Sequence, residues 1–279
     1  MASAPLACLV SGLTADDDED AAALAVLAAL RAHLAPLGGT VAAMTPLTRD
    51  GQPRPGGGWH SPRVARLTAA ASFAVPQHAA CPFVLPAGAP REGLGAAAVA
   101  ATADGPGLRA QPVREAFQVL ATWADAVVMA GIGGWLTPPV APGAPATGPL
   151  LASMCQRLHL PLLLCSRLDA EAPERARRAM KLAGLRPVAW LAMRSAQQTV
   201  ADDDARVAQL QAAFHAPCVG RLGPRDPAAA LPLADGAPQQ AIDIPALLAC
   251  LPGRTVAAPA AATAGPSQIT QDGPPRAGR

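Results

Sequence analysis

Aromatic residues and lysine are scarce in this chain of 279 residues. Phenylalanine and tryptophan together make up 3% of it, tyrosine does not occur, and Lys181 is the sole lysine. Surfaces that bind single-stranded nucleic acid stack bases on aromatic side chains and neutralise phosphates with basic residues. Because the formal net charge is only +2 and there is no long basic run, we do not expect this chain to bind nucleic acid.

Paired cysteines and secretion or membrane signals are also missing from the sequence. The six cysteines include no Cys-x-x-Cys pair, and Cys8, Cys165 and Cys218 fall in apolar runs, so we expect buried, reduced thiols. The first residues lack the positive charge of a signal peptide, and no run approaches the ~18 apolar residues of a membrane span. The chain is therefore predicted to be a soluble, cytoplasmic protein that contacts no membrane.

Hydrophobic residues, in contrast, make up 51% of the chain and charged residues 15%, a balance typical of a folded core. Apolar runs that predict strands alternate with segments of helical periodicity. The predicted strands cover residues 6–10, 40–44, 124–129, 161–165, 187–193 and 217–222, and the predicted helices cover 16–34, 112–123, 150–158, 172–184, 202–214 and 241–251. This alternation predicts an α/β fold of three layers, a mostly parallel sheet with helices on both faces.

We expect a single α/β domain over residues 1–252, followed by a disordered tail at 253–279 that is rich in Ala, Pro and Gly. Residues 49–63, rich in Gly, Pro and Arg, are predicted to form a surface loop. Ligands of parallel sheets bind at the carboxyl ends of the strands. Functional residues are therefore expected in the loops that follow the predicted strands.

Three segments at those strand ends resemble the dethiobiotin synthetase family. Val10-Ser11-Gly12 resembles the entry to the family's phosphate-binding loop, and Thr45-Pro46 resembles a Lys-Pro pair after its second strand. Residues 130–135, Ala-Gly-Ile-Gly-Gly-Trp, resemble its Glu-Gly-Ala-Gly-Gly-Trp segment. The resemblance covers most of residues 6–251. It implies a P-loop NTPase-like fold, a homodimer, and an ATP- and Mg²⁺-dependent ligase of biotin synthesis.

The phosphate-binding loop departs from the family's pattern in its charge. In register, the family's loop positions fall on Gly12, Thr14, Asp16, Asp18, Glu19 and Asp20. Glu19 stands in place of the lysine, Asp20 stands in place of the Ser or Thr that reaches Mg²⁺, and two aspartates replace glycines. Two unit charges about 4 Å apart near a protein surface interact with an energy of about 4 kcal/mol. Replacing the positive charge of a lysine by the negative charge of Glu19 therefore predicts a loss of several orders of magnitude in ATP affinity.

Other positions of the family have also lost their chemical groups. Thr45 stands in place of the lysine, Ala130 in place of a metal-binding glutamate, and Arg194 in place of an asparagine that contacts adenine. The turn within residues 130–135 keeps the three glycines of the family's segment, Gly131, Gly133 and Gly134. We therefore expect no intact catalytic residue, no bound ATP cofactor and no bound metal.

Several of these features have two interpretations. The acidic run at residues 16–20 either supplies anions to the first turn of a helix or forms a site for Mg²⁺ or Ca²⁺. The glycine turn either cradles an anion or is kept for a backbone geometry that glycine permits. The basic cluster at residues 175–181 is either a solvated helix face or a patch for a partner, and the aspartates at 202–204 are predicted to cap a helix.

The leading functional hypothesis is a non-catalytic member of the family that binds a protein or a biotin-pathway intermediate. The first alternative is an active dethiobiotin synthetase, which forms a cyclic urea from 7,8-diaminopelargonate, CO₂ and ATP. The second is an interaction subunit that stabilises an intact paralogue.

Overall fold

The computed structural model describes residues 5–14, 17–87, 99–102, 105–108, 110–136, 147–183, 186–194, 200–223 and 242–252. Asp16 and the predicted tail at 253–279 lie outside the described residues.

Strands and helices alternate along most of the described chain. The strands are β1 (Leu6–Gly12), β2 (Val41–Met44), β3 (Leu47–Pro53), β4 (Trp59–His60), β5 (Phe83–Pro86), β6 (Val99–Thr102), β7 (Gly105–Leu108), β8 (Ala126–Ala130), β9 (Leu162–Arg167), β10 (Ala189–Met193) and β11 (Cys218–Leu222). The helices are α1 (Glu19–Leu34), α2 (Pro62–Ala69), α3 (Gln77–Ala80), α4 (Ala110–Trp123), α5 (Thr147–Leu158), α6 (Ala172–Ala183), α7 (Val200–Phe214) and α8 (Ile244–Cys250). All six predicted strands and all six predicted helices are present, with ends that differ by at most three residues.

The central sheet has six strands in the order β11-β10-β9-β1-β8-β2, and every neighbouring pair is parallel. Strand β1 is in the middle, where Leu9 is paired with Met129 of β8 and with Leu162 of β9. A small sheet, β4-β3-β5, lies beside it. Because all six central strands run the same way, their carboxyl ends form one edge, on which the loops after β1, β2, β8, β9 and β10 lie.

Two hydrophobic clusters cover the two faces of the central sheet. One packs α4, α5, α6 and α7 on alternate strand residues such as Leu9, Met129 and Trp190. The other packs α1 and α8 on the intervening residues, such as Val10 and Val128. This is the predicted fold of three layers, and it follows from side chains that alternate between the faces of each buried strand.

Helix α1 belongs to the core. It begins after Asp18, whose side chain accepts a hydrogen bond from Ala21 N, and its Leu27, Leu30 and Leu34 are almost fully buried. Burying each of these leucines contributes about 1.5–3 kcal/mol. Among the described residues, Glu19–Leu37 is the one helical stretch long and apolar enough to span a membrane by composition, which the sequence analysis did not expect. In the structure its apolar side chains pack on the sheet.

The prediction of a surface loop at residues 49–63 is right for the exposed residues 54–58 and wrong for the rest. The other residues form most of β3, all of β4 and the start of α2. Ser61 caps α2 by accepting a hydrogen bond from Val64 N, and Pro62 occupies the first helical turn. Ser followed by Pro is a pattern typical of a helix start. The prediction of a loop relied on the Gly, Pro and Arg content of the segment and did not use this pattern. The six cysteines form no disulfide, and Cys218 is partly exposed rather than buried.

Candidate functional site

The loop after β1 is held between its neighbours by backbone hydrogen bonds. Leu13 N donates to Cys165 O at 2.9 Å, Trp135 N donates to Gly12 O at 2.7 Å, and Leu136 N donates to Leu13 O at 2.8 Å. The chain thus continues past the end of β1 in contact with the glycine turn on one side and β9 on the other. Leu13 is fully buried there.

Two glycines of the turn are needed for close approach rather than for an unusual backbone angle. A Cβ atom at Gly134 would lie 1.9 Å from the carbonyl carbon of Thr14, and a Cβ at Gly131 would lie 2.5 Å from Glu19 Oε2. Of the three glycines in the turn, only Gly133 has a positive φ, of 127°. The expectation of a special backbone geometry is therefore right for Gly133 and wrong for the other two, which make room for the loop and for Glu19.

Glu19, at the lysine position of the resemblance, turns its carboxylate back into the loop. Oε2 accepts a hydrogen bond from Gly12 N at 3.1 Å, and Oε1 forms an ion pair with Arg63 at 3.0 Å. Burial raises the pKa of Glu19 to about 7, although the Arg63 guanidinium and the Gly12 N–H oppose the rise. The carboxylate therefore takes up a backbone donor that a phosphate-binding loop would offer to its ligand.

Arg63 connects α2 to this loop and is the residue that the sequence analysis missed. Its guanidinium donates to five oxygens, namely Glu19 Oε1, Asp20 Oδ1, Thr45 Oγ1, Gly131 O and Leu47 O. Although burial opposes its charge, the carboxylates of Asp20 and Glu19 raise the pKa of Arg63 above its ordinary value. The signal that indicates this residue is the Ser-Pro helix start, which places Arg63 in the first turn of α2.

Asp17 and Asp18 have structural roles beside the loop. The buried Asp17 carboxylate accepts hydrogen bonds from the N–H and hydroxyl of Thr14 and from Arg167 N. Burial raises the pKa of Asp17, and these hydrogen bonds partly oppose the rise. Asp18 caps α1 with a φ of 43°, a left-handed conformation that a glycine adopts more easily. Glu19 and Asp20 lie in the first turn of α1, as one of the two interpretations of the acidic run expects.

Thr45 contacts the guanidinium of Arg63, and Ala130 precedes Gly131, whose carbonyl accepts a hydrogen bond from the same guanidinium. The Thr45 hydroxyl accepts from Arg63 at 3.1 Å and lies 3.3 Å from Gly131 O. Ala130 is fully buried at the end of β8, so the position of the family's metal-binding glutamate carries only a methyl group. Arg63 thus brings together three distant parts of the chain, namely residues 19–20, 45 and 131.

Arg194 lies on the other half of the same edge, at the end of β10. It forms an ion pair with Asp203, which is 1% exposed on α7. The prediction that residues 202–204 cap a helix is wrong, because α7 begins at Val200 and Asp203 lies inside its first turn. Asp203 instead forms an ion pair that positions the side chain of Arg194 at the carboxyl edge of the central sheet.

The basic cluster on α6 is partly engaged by neighbouring acids. Arg175 pairs with Asp169 and Glu171, and Arg177 pairs with Glu174. Arg178 and Lys181 are exposed. These contacts agree with a solvated helix face, the first of the two interpretations.

The sheet is parallel, and its first strand leads into a loop that is hydrogen-bonded to the glycine turn and to β9; we call this the closed loop. This arrangement defines a protein of P-loop NTPase-like fold. No family model matches the chain. It is 30% identical over 218 residues to the ATP-dependent dethiobiotin synthetase BioD of Xanthomonas campestris pv. campestris (strain B100), covering 76% of this chain and 88% of the relative. It is 29% identical over 236 residues to the BioD of Xanthomonas oryzae pv. oryzae (strain PXO99A), covering 83% and 97% respectively. The chain belongs to the dethiobiotin synthetase family.

A solved structure with a similar arrangement is a DUF1611 family protein from Anabaena variabilis ATCC 29413. The similarity has a TM-score of 0.42 at 13% identity and covers 77% of this chain. The chain spans about half of that protein, 53% of its length.

Proposed function

We propose that this protein is a non-catalytic member of the dethiobiotin synthetase family, with a binding role in place of ATP-dependent ligation. The observation that carries the proposal is the Glu19 carboxylate, which is bound to Gly12 N and to Arg63 inside the phosphate-binding loop. A carboxylate in that place competes with a phosphate for the same N–H donor. It also repels the phosphate's charge.

The size of this repulsion supports the proposal. Above about pH 7, where Glu19 is ionised, two like charges about 4 Å apart at an effective dielectric constant near 20 repel by about 4 kcal/mol, which corresponds to roughly three orders of magnitude in affinity. Asp17 and Asp20 add negative charge on either side, while Arg63 is already engaged by Glu19 and Asp20. These residues therefore do not fit the phosphates of ATP.

The binding role is supported by an apolar surface outside the loop. Val119 and Trp123, one turn apart on α4, are 38% and 47% exposed. Large apolar side chains grouped on one face are typical of contact surfaces. We propose that this face of α4 contacts a second copy of the chain in a cytoplasmic homodimer, which sedimentation of the wild type and of Trp123→Ser tests. A monomeric wild type would contradict the dimer.

The experiment that tests the loss of catalysis is a paired binding and turnover assay. Purified protein is titrated with Mg·ATP by calorimetry, with and without 7,8-diaminopelargonate, and dethiobiotin formation from the same mixture plus bicarbonate is measured by mass spectrometry. The Xanthomonas campestris relative serves as the positive control. We expect no saturable heat at millimolar nucleotide and no product above the blank.

Two results would contradict the proposal. Dethiobiotin formation at a rate near that of the control would establish the active synthetase as the function. Micromolar ATP binding without product would contradict the closed loop, and competition by pyrophosphate would then locate the phosphates.

A further inference from the structure

Five oxygen atoms converge on the guanidinium of Arg63. Its Nη2 lies 3.0 Å from Glu19 Oε1 and 2.9 Å from Gly131 O, and its Nε lies 2.7 Å from Asp20 Oδ1. Its Nη1 lies 3.1 Å from Thr45 Oγ1 and 3.4 Å from Leu47 O. We call these two carboxylates, one hydroxyl and two carbonyls the oxygen cage.

This donor set is that of a hard divalent cation. Mg²⁺ and Ca²⁺ prefer carboxylate, hydroxyl and carbonyl oxygens, at about 2.0–2.6 Å. One member of the cage lies where the family resemblance places a Mg²⁺ contact, and a second is next to another such position. Asp20 is at the hydroxyl position of the loop, and Gly131 O follows Ala130, the position of the metal-binding glutamate. The cage oxygens, however, already accept hydrogen bonds from the guanidinium nitrogens of Arg63.

The guanidinium is fixed in the cage from its own side. Arg63 N donates to Asp50 Oδ2 at 2.7 Å, and Ser61, the cap of α2, also donates to Asp50. Although burial opposes ionisation, the hydrogen bonds from Ser61 and Thr48 hold the pKa of Asp50 below its ordinary value, so it stays charged. The side chain of Arg63 is 15% exposed. A guanidinium is also protonated at all ordinary pH values, so its charge cannot be removed by titration.

We propose that the Arg63 guanidinium is a built-in replacement for the family's divalent cation, so that Mg²⁺ does not fit the oxygen cage of this chain. A metal at about 2 Å from these oxygens would collide with the guanidinium, and a second positive charge there would be repelled. Within the described residues no group of three or more His, Cys, Asp or Glu side chains offers an alternative metal site. This proposal rests on the proposed function in one respect, namely that the loop after β1 corresponds to the family's phosphate-binding loop.

The test measures cation binding, so its outcome is separate from that of the turnover assay. Mn²⁺ binding is followed by the loss of the free-ion electron paramagnetic resonance signal for the wild type, Arg63→Ala and Arg66→Ala. Arg66 is the matched control because it lies on the same helix and reaches the same Asp20, at 3.6 Å, but is 57% exposed. Circular dichroism checks that each variant is folded.

We expect no Mn²⁺ binding by the wild type or Arg66→Ala. Arg63→Ala is expected to bind one ion per chain with a dissociation constant at least tenfold below the highest Mn²⁺ concentration at which the wild type shows no binding, and adding Asp20→Asn to it is expected to abolish that binding. Saturable binding of Mn²⁺ by the wild type that Asp20→Asn weakens would overturn the proposal. So would a folded Arg63→Ala that binds no more Mn²⁺ than the wild type.

A second measurement decides the matter if Arg63→Ala does not fold. The melting temperature of the wild type is recorded with and without Mn²⁺, and no shift is expected. A saturable rise that is absent in Asp20→Asn would overturn the proposal. Folding of Arg63→Ala only when Mn²⁺ is present would support it, because the ion would then take the place of the missing guanidinium.

Discussion

The two halves of the carboxyl edge of the sheet are closed in different ways. Between β1 and β8, every nitrogen of the Arg63 side chain has an oxygen partner, and the backbones of the loop and the glycine turn touch. Beside β10, a single ion pair joins Arg194 to Asp203, and Asp203 Oδ1 is buried without a partner among the described residues. In the first half several side chains share one polar network, whereas the ion pair described beside β10 joins only Arg194 and Asp203.

This difference indicates where substitutions are most harmful. A buried charge that loses its partner is left without compensation, whereas a partly exposed charge regains water. Arg63 is 15% exposed and Arg194 is 32% exposed. The half that contains Arg63 should therefore be the more sensitive one.

The largest effect is expected for Arg63→Met, which keeps the apolar stem and removes the charge. Glu19 and Asp20 then lose their shared partner, and breaking a buried pair of this kind costs about 3–5 kcal/mol of unfolding free energy. Urea denaturation of the variant and of Arg66→Ala measures it. The exposed Arg66 is expected to contribute about 0–1 kcal/mol. Equal losses in the two variants would contradict a special role for Arg63.

The next effect concerns pH and Glu19. Its pKa in the folded protein is about 7, above the ordinary value of 4.5, so the folded state binds the proton more tightly. Stability from this group is therefore fully present below pH 4.5 and is lost as the pH rises through about 7. At about 1.4 kcal/mol per unit of difference, the wild type should lose about 3 kcal/mol relative to Glu19→Gln over this interval. Parallel stability curves for the two proteins would refute the raised pKa.

A glycine pair compares the two halves directly. Gly134→Ala would place a Cβ 1.9 Å from the Thr14 backbone, whereas Gly223, at the end of β11, has nothing within 4 Å. We expect Gly134→Ala to lower the unfolding free energy by about 1–3 kcal/mol, since the loop must shift, and Gly223→Ala to change it by less than about 0.5 kcal/mol. Thermal melting of both variants measures this. A harmless Gly134→Ala would mean that the loop is not held against the turn.

The smallest effect is expected for Asp203→Asn on the second half. The substitution keeps the shape of the side chain and one acceptor, and Arg194 is exposed enough to be hydrated. The loss should be about 1 kcal/mol, measured by urea denaturation. A loss as large as that of Arg63→Met would show that the two halves are closed equally firmly.

Much of the fold follows from local sequence pattern. Apolar runs such as residues 6–10 and 161–165 are buried on both faces of a parallel sheet, and helical periodicity around Leu27 and Leu30 covers one of those faces. The same pattern locates the loop after β1, and the resemblance to the family, read in register, predicts that Glu19 stands in place of a lysine. These features depend on neighbours in the chain, which a sequence displays directly.

Tertiary structure decided which distant residues contact the loop after β1. Arg63 lies 44 positions from Glu19 and 68 from Gly131, in a segment whose Gly and Pro content predicts only a surface loop. The close approach of Gly134 to Thr14 and the pairing of Asp203 with Arg194 are likewise contacts between different elements. Periodicity reports which face of an element is buried. It does not report which distant charge the fold brings to meet another, because that is set by how the strands and helices pack together.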